Sequence, residues 1–250
     1  KILRIKNYFY SISISNFFKK VKMNKSILFP FVLVFLFSCT KIIHVSAPQI
    51  SSSKIEQSSN IKPSQEVVSL ILPYKKEMEK EMNQIVGTCN KELMKAKPES
   101  TLGNWTADLI HKKCEEYYGK PIDFAVVNYG GLRILSLPVG PITKSNIFEL
   151  MPFENGLVVI NVDAETIEKL FTRMAEYGGW PISHQVRFKI KNGKPINILI
   201  NGKPIDKTKM YKIALSDFVA NGGDKCFFFE GKKQELLGKL FRDAIMEHVI

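Results

Sequence analysis

The stretch YKIALSDFVANGGDKCFFF, residues 211–229, joins a short apolar run to a turn of small residues. The run YKIALS is bounded by turn residues, as is typical of a buried strand. Phe218 follows it within two residues, and Gly222 and Gly223 stand directly before Asp224. Because glycine lets a backbone come close to a neighbouring group, the stretch predicts a core strand that ends in a turn suited to contact with a ligand.

Strand and helix patterns are interleaved on both sides of this stretch. Helical spacing and terminal residues predict helices at 102–118, capped by Thr101, at 163–177, starting at Asp163, and at 234–250. Residues 65–97 are predicted to be helical or extended and then helical, with Pro73 interrupting any early helix. Apolar runs at 123–128 and 157–162 predict further strands, and Asn-Gly pairs at 192–193 and 201–202 predict hairpins. Hairpins argue against an all-parallel sheet, so the fold class is α+β with a mixed sheet, in one domain over 65–250.

Residues 1–64 have a different composition from the rest of the chain. The first 38 residues carry seven Lys or Arg and no acid, and residues 27–37 are almost wholly apolar. An apolar run of this length is shorter than the ~20 residues of a membrane-spanning helix and suits a signal peptide. We therefore predict a leader over 1–38, with the true start at Met23, and a serine-rich flexible tether over 39–64.

The stretch LFSC, residues 36–39, resembles a bacterial lipobox. The resemblance implies cleavage before Cys39, a lipid on its sulfur, and an exported chain anchored in the bacterial cell envelope. The alternative is ordinary secretion, with Cys39 an incidental residue.

The net charge of +12 would by itself suggest nucleic acid or an anionic membrane. Outside the leader, however, 29 basic side chains stand against 24 acidic ones, without a dense patch. We therefore expect no nucleic-acid polymer as a partner.

The cysteine and histidine patterns exclude several kinds of site. Cys89, Cys114 and Cys226 have no CxxC spacing, and isolated buried thiols are expected, although one disulfide is an alternative. The four histidines are scattered, and His111 is expected to be a surface or half-buried residue of a helix rather than a ligand. A two-metal phosphoesterase site needs several Asp, His and Asn ligands, so no catalytic residue, metal or cofactor is predicted in this chain.

Three turns at predicted strand ends combine small residues with a side chain suited to a nucleoside or a phosphate. The first, 128–133, offers an amide and a guanidinium; the second, 150–156, an aromatic face; the third, 218–224, an aromatic face and a carboxylate. Taken singly, each turn can also be a plain loop beside a core phenylalanine. The candidate substrate-binding residues are Asn128, Gly130, Gly131, Arg133, Phe153, Asn155, Phe218, Asn221, Gly222, Gly223 and Asp224.

Four segments, in order, carry a resemblance to a known family. These are PESTLGNWTADLI, DFAVVNYGGLR, GPITKSNIFELMPFENGLVVI and YKIALSDFVANGGD. Together they resemble the C-terminal, substrate-binding domain of the 5′-nucleotidase and UDP-sugar hydrolase family, over about 65–250. The resemblance implies a mixed-sheet α/β sandwich in which Phe153 and Phe218 clamp the base, Asp224 binds the ribose, and Asn128 and Arg133 face the phosphate.

Two departures from the family pattern shape the functional hypothesis. No metallophosphoesterase domain is recognised before residue 65, and Pro98 stands where many members carry an arginine. The leading hypothesis is therefore the nucleotide-binding half of a split 5′-nucleotidase, which binds a nucleoside 5′-monophosphate or nucleoside while a separate metallophosphoesterase holds divalent metal ions. The alternatives are a cell-surface protein that captures nucleosides or nucleotides, and a degenerate scaffold that binds neither.

Overall fold

The computed structural model describes residues 63–249. The predicted leader, the candidate lipid site at Cys39 and nearly all of the predicted tether lie outside the described residues. Among the helices of 63–249, none combines the length and the apolar character that crossing a membrane requires.

Helices and strands alternate along the described residues. In chain order they are α1 (Gln65–Met82), β1 (Ile85–Cys89), β2 (Leu93–Met94), α2 (Thr101–Tyr118), β3 (Phe124–Ala125), β4 (Ser136–Leu137), β5 (Gly140–Thr143), α3 (Lys144–Leu150), β6 (Gly156–Asp163), α4 (Ala164–Glu176), β7 (Val186–Lys191), β8 (Lys194–Ile200), β9 (Lys203–Pro204), β10 (Met210–Ser216), α5 (Asp217–Ala220), β11 (Gln234–Leu240) and α6 (Phe241–Val249). Short 3₁₀ turns cover Tyr129–Gly131, Gly223–Lys225 and Phe227–Phe229.

A four-stranded sheet in the order β11-β6-β10-β3 organises the domain. β6 runs antiparallel to β10 and β11, whereas β3 runs parallel to β10. The smaller sheets are the pairs β1-β5 and β2-β4 and the meander β7-β8-β9. The sheet is mixed, so the predicted fold class is confirmed.

The central sheet separates two apolar cores. Side chains alternate along β6, so that Leu157 and Val159 belong to one core while Val158 and Ile160 belong to the other. The first core includes residues of α2, α3 and α6, and the second includes residues of α4 and of the β7-β8 hairpin. Helices and a hairpin thus cover both faces, as an α/β sandwich requires.

The predicted helix and hairpin boundaries are largely confirmed. Gly119 ends α2 in the left-handed conformation with φ 69°, and the side chain of Asp163 caps α4 by accepting from the Thr166 N–H at 2.8 Å. Both Asn-Gly turns have two positive φ angles, the signature of two-residue hairpin turns. The cap of α2 is Ser100 rather than Thr101, since the Ser100 hydroxyl accepts from the Gly103 N–H at 3.0 Å.

The prediction for residues 65–97 is wrong in two respects. Pro73 lies inside α1 without interrupting it. Proline removes the bond to the carbonyl four residues earlier, and because none of the residues of α1 is buried, water can solvate that carbonyl. Beyond α1 the chain forms strands, because β1 pairs with β5 and β2 with β4.

The helix predicted over 234–250 is also wrong in its first half. Residues 234–240 form strand β11, and only Phe241–Val249 are helical. The edge of β6 offers backbone partners to Gln234–Leu236, and Gly238 has φ 67°, which an α-helix does not allow. Pairing with the sheet therefore overrides the local helical pattern.

Candidate functional site

The strand pairing places the three predicted turns at one edge of the central sheet. Leu157 at the start of β6 lies beside Ser216 at the end of β10, so the turn before β6 and the turn after β10 are neighbours. β3 runs parallel to β10, with Phe124 beside Ile213, so the turn after β3 leaves by the same edge. Turns that are separated by up to 96 residues in sequence thus meet at one place.

The first turn is tightly folded around Asn128. The Gly131 N–H donates to the Asn128 carbonyl at 2.9 Å, and a side chain on Gly131 would place its Cβ 2.9 Å from Asn128 Oδ1. Gly131 is therefore required by close packing against the Asn128 side chain.

Arg133 links the first turn to the second. Its backbone N–H donates to the Leu150 carbonyl at 2.9 Å, and its guanidinium carbon lies 5.5 Å from the centre of the Phe153 ring. That ring is 37% exposed, in the loop between α3 and β6. The carbonyl of Asn155 accepts from the Phe241 N–H at 3.0 Å, which ties the end of this loop to α6.

The third turn begins with α5 and exposes Phe218. The Ser216 hydroxyl accepts from the Val219 N–H at 3.3 Å, and the Phe218 ring is 46% exposed. A Cβ on Gly223 would lie 2.5 Å from Phe218 Cε1, and a Cβ on Gly222 would collide with the carboxylate of Glu230. Gly223 is therefore needed under the ring, and Gly222 is favoured by its φ of 90°. Asn221 fixes the start of the turn by donating to the Asp217 carbonyl at 2.8 Å.

Asp224 connects the third turn to the first. Its Oδ2 accepts from the side-chain amide of Asn128 at 2.6 Å, although the resemblance implied that Asn128 faces the phosphate. Arg173 of α4 donates from Nε to the Asp224 carbonyl at 2.7 Å. Asp224 has φ 51°, an uncommon conformation for a residue with a side chain. Asn128 and Arg173 hold this strained residue and aim its carboxylate.

Two lysines that the sequence interpretation missed lie beside the first turn. Lys95 donates from Nζ to the Leu132 carbonyl at 2.6 Å and lies 4.1 Å from the centre of the Tyr129 ring. Lys97 lies between two rings, 4.6 Å from that of Tyr129 and 3.8 Å from that of Tyr177. Both lysines lie within the three residues before Pro98, the position at which many family members carry an arginine. That proximity is the signal that could have identified them.

The pKa of Lys95 is lower than that of an ordinary lysine. Partial burial lowers its pKa from the ordinary lysine value, and the nearby charges of Arg133 and Lys97 lower that pKa further. Such a group gains from an anion nearby, since a negative charge offsets the repulsion among the three cations.

A groove of about 510 Å³ lies apart from the three turns. Its walls include Trp180, Phe188, Asp108 and His184, and none of its lining residues belongs to the candidate set. The candidate edge is an open surface with exposed rings rather than a deep cavity, and its assignment rests on the side chains that converge there.

The described residues do not fit a catalytic metal centre. Within 63–249, no group of three or more His, Cys, Asp and Glu side chains is placed to hold a metal ion. Cys89, Cys114 and Cys226 are buried and unpaired, and burial raises the pKa of the Cys114 thiol to about 12, which makes it a poor ligand or nucleophile.

Comparison with known proteins identifies the family of this chain. The sequence model of the family described as "5′-nucleotidase, C-terminal domain" matches residues 85–231. "Protein UshA" of Escherichia coli (strain K12) is 26% identical over 179 residues, which cover 69% of this chain and 32% of that protein. "Protein UshA" of Salmonella pullorum is 34% identical over 106 residues, 41% of this chain and 19% of that protein. This chain thus spans about a third or less of the length of these curated relatives.

Solved structures agree on the fold. The 5′-nucleotidase precursor from Thermus thermophilus superposes with a TM-score of 0.63 at 23% identity, covering 72% of this chain and 39% of that one. A putative 5′-nucleotidase from Staphylococcus aureus superposes with a TM-score of 0.62 at 14% identity, over 76% of this chain and 41% of that one. The chain therefore belongs to the 5′-nucleotidase C-terminal domain family.

Proposed function

We propose that this domain binds a nucleoside 5′-monophosphate as the nucleotide-binding unit of a 5′-nucleotidase that acts outside the cytoplasm. The observation that carries the proposal is the meeting of three turns at one sheet edge, with two exposed phenylalanines and a carboxylate held in place. Each part of a nucleotide has a chemically suited group at that edge.

The base is bound by Phe153 and Phe218. Both residues are more than a third exposed, as is Phe227 of the following 3₁₀ turn, while Phe124, Phe171, Phe229 and Phe241 are almost wholly buried. Stacking of a base on an aromatic ring contributes about 1–3 kcal/mol per base in nucleic-acid complexes and tolerates any base. We therefore expect the site to bind nucleotides without preference for a particular base.

The ribose is bound by Asp224. One carboxylate oxygen already accepts from Asn128, which leaves Oδ1 to accept from ribose hydroxyls. The carbonyl of the same residue accepts from Arg173, so the carboxylate is held before the ligand arrives. Holding a binding group in its bound geometry lowers the entropy lost on binding.

The phosphate is bound near Arg133, Lys95 and Lys97. Guanidinium and ammonium groups are the usual side-chain partners of phosphate. Burial is the main cause of the lowered pKa of Lys95, and the repulsion from Arg133 and Lys97 that adds to it is relieved when a phosphate lies between these cations. The two lysines thereby supply positive charge close to Pro98, where an arginine is common in the family.

Hydrolysis requires a second unit in this proposal. Because the described residues lack a catalytic metal cluster, we place the divalent metal ions on a separately encoded metallophosphoesterase. This domain presents the nucleotide to that partner, and the basic and apolar leader, with a lipid on Cys39, places both at the cell envelope.

The binding step is tested by calorimetric titration of AMP and adenosine into the full chain in mild detergent. Phe218→Ala should weaken AMP binding by about 5- to 150-fold, the equivalent of the stacking energy of ~1–3 kcal/mol. Tyr74→Ala is the matched control, because it removes a 72% exposed ring from α1, and it should bind as the parent does. Absence of saturable binding, or equal loss in both variants, would contradict the proposal and favour a scaffold that binds no nucleotide.

The division of labour is tested by phosphatase assays. The purified chain with Mn²⁺ or Mg²⁺ should release no phosphate from AMP. Adding the metallophosphoesterase should produce phosphate release, and Phe218→Ala should reduce that release. Metal-dependent release by the chain alone would overturn the split arrangement. AMP binding that no metallophosphoesterase converts to hydrolysis would instead support a capture protein.

A further inference from the structure

His184, in a loop that is hydrogen-bonded to β3, lies close to His111 of α2. The loop precedes β7, and its Ser183 N–H donates to the Ala125 carbonyl at 3.0 Å while the Ser183 hydroxyl accepts from the Ala125 N–H at 2.9 Å. His184 and Gln185 follow at once in the chain. They face His111 of α2, which is only 7% exposed and therefore more buried than the surface or half-buried position expected for it.

The His111 ring has one nitrogen bound to the backbone. Its Nε2 lies 3.3 Å from the Ile122 carbonyl and 3.9 Å from Glu115 Oε1. Carbonyl and carboxylate oxygens accept hydrogen bonds, so Nε2 carries the proton. The lone pair is then on Nδ1.

The His184 ring is held by a carboxylate. Its Nδ1 lies 3.1 Å from Asp108 Oδ1, and the same oxygen accepts from the His184 backbone N–H at 2.6 Å. Nδ1 therefore carries the proton, and the lone pair of this ring is on Nε2.

Both lone pairs point at one side-chain amide. Gln185 Nε2 lies 3.3 Å from His111 Nδ1 and 3.3 Å from His184 Nε2, and the ring centres are 6.4 Å apart. The other amide atom, Gln185 Oε1, is buried and has no hydrogen-bond partner among the described residues. A buried acceptor without a partner is destabilising, so the arrangement is complete only when something else contacts that oxygen.

The outer contacts of the two rings are those of metal-binding histidines. Such a histidine nearly always donates its second ring N–H to a carboxylate or a backbone carbonyl, which fixes the tautomer. Asp108 serves His184 in this way, and the Ile122 carbonyl serves His111.

We propose that His111 Nδ1 and His184 Nε2 bind one divalent transition-metal ion, of the class of Zn²⁺ or Ni²⁺, at the point where the Gln185 amide nitrogen stands. Gln185 turns its Oε1 to the ion as a third ligand, and water completes the coordination. Imidazole suits both metals, at metal–nitrogen distances of about 2.0–2.1 Å for zinc. Because each ring nitrogen is 3.3 Å from the amide nitrogen, the two rings together must approach by about 2.4 Å for both to bind one ion at 2.1 Å.

The exposed ring of His184 allows that movement, while His111, which is 7% exposed, stays bound to the Ile122 carbonyl. The His184 side chain is 64% exposed and lies on the wall of the groove near Trp180, so it can shift without disturbing a core. Two imidazoles and an amide make a weaker site than the four ligands of a structural zinc centre. The bound ion joins α2 to the loop before β7.

Calorimetric titration of Ni²⁺ into the full chain in mild detergent tests the proposal. Nickel is used because it has a weaker preference for thiolate ligands than zinc, so the cysteines interfere less. We expect one ion per chain, and binding at least tenfold weaker in His184→Ala. Asp108→Asn keeps an acceptor oxygen but removes its charge, and it should weaken binding by about 10- to 100-fold. His248→Ala is the matched control, since it removes a histidine outside this cluster, and it should bind as the parent does.

Thermal melts give a second readout. Ni²⁺ should raise the Tm of the parent and of His248→Ala but not that of His184→Ala, since a ligand stabilises only the state that binds it. Equal Ni²⁺ affinity in the parent and in His184→Ala would overturn the proposal. So would a lack of saturable binding at millimolar Ni²⁺, which would leave these histidines as a hydrogen-bond network alone.

Discussion

The phenylalanines of the interior and those of the binding edge occupy opposite environments. Phe171 is fully buried, 5.2 Å from the ring of Phe188 and 6.0 Å from that of Phe124, and it belongs to the core on the α4 side of the sheet. Phe153 and Phe218, on loops at the sheet edge, keep 37% and 46% of their surface exposed. The same side chain therefore serves stability in one region and is exposed in the other, where a ligand is proposed to bind.

The backbone differs between these regions as well. Along β6 and β10 the ordinary alternation of strand side chains supplies residues to both cores. At the edge, Gly223 is required under the Phe218 ring, and Asp224 is held at φ 51° by Asn128 and Arg173. Backbone strain and close backbone approach thus occur together at the edge where the ligand is proposed to bind, a combination that is common at binding sites.

The largest expected effect comes from the interior. Phe171→Ala should lower the free energy of unfolding by about 3–5 kcal/mol, because it leaves a cavity in a closely packed core. Urea unfolding measures this change. AMP affinity, measured under conditions in which the variant is folded, should stay near that of the parent. A loss of AMP affinity as large as that of Phe218→Ala would contradict the view that the core and the edge contribute independently to stability and binding.

Asp224→Ala tests the edge with a smaller effect. A hydrogen bond to a charged group contributes about 1.5–3 kcal/mol, so AMP binding should weaken by about 10- to 150-fold. Calorimetry with the 2′,3′-dideoxy analogue of AMP is the control, since that ligand has no ribose hydroxyls. The proposed role of Asp224 is wrong if the variant loses affinity equally for both ligands.

Two glycine substitutions compare the edge with a hairpin turn. Gly193 has φ 70° and open space around its Cβ position, so Gly193→Ala should cost about 1–2 kcal/mol of stability, from the left-handed backbone alone, and leave AMP binding unchanged. Gly223→Ala should instead displace the Phe218 ring and weaken AMP binding. Thermal melts and AMP titrations on both variants separate the effects, and equal AMP affinity in the two would contradict the packing role of Gly223.

The smallest expected effect is a pH dependence at Lys95. Because the pKa of Lys95 is lowered, rising pH removes its charge at values below the ordinary 10.5, and AMP affinity should fall over that range. Lys95→Arg stays protonated, so its AMP affinity should hold as the pH rises. Adenosine, which has no phosphate, should show no such dependence in either protein. A fall in AMP affinity that is the same in both proteins would exclude Lys95 as its source.

The sequence predicts the regular parts of the fold and provides candidates for the site. Apolar alternation and end signals such as Gly119 and the Asn-Gly pairs are local, so α2, α4 and the hairpins follow from them. β11 does not, because its strand conformation depends on pairing with β6, which is remote in sequence. Likewise, the motifs identify Asp224 as a candidate, but Arg173 and Lys95 enter the site only through the packing of α4 and of the segment before Pro98.

A crystal structure of the chain with bound AMP tests the central claim most directly. The account predicts the purine between Phe153 and Phe218, the ribose hydroxyls on Asp224, and the phosphate within reach of Arg133 and Lys95. A purine bound elsewhere, for example in the groove beside Trp180, would contradict it.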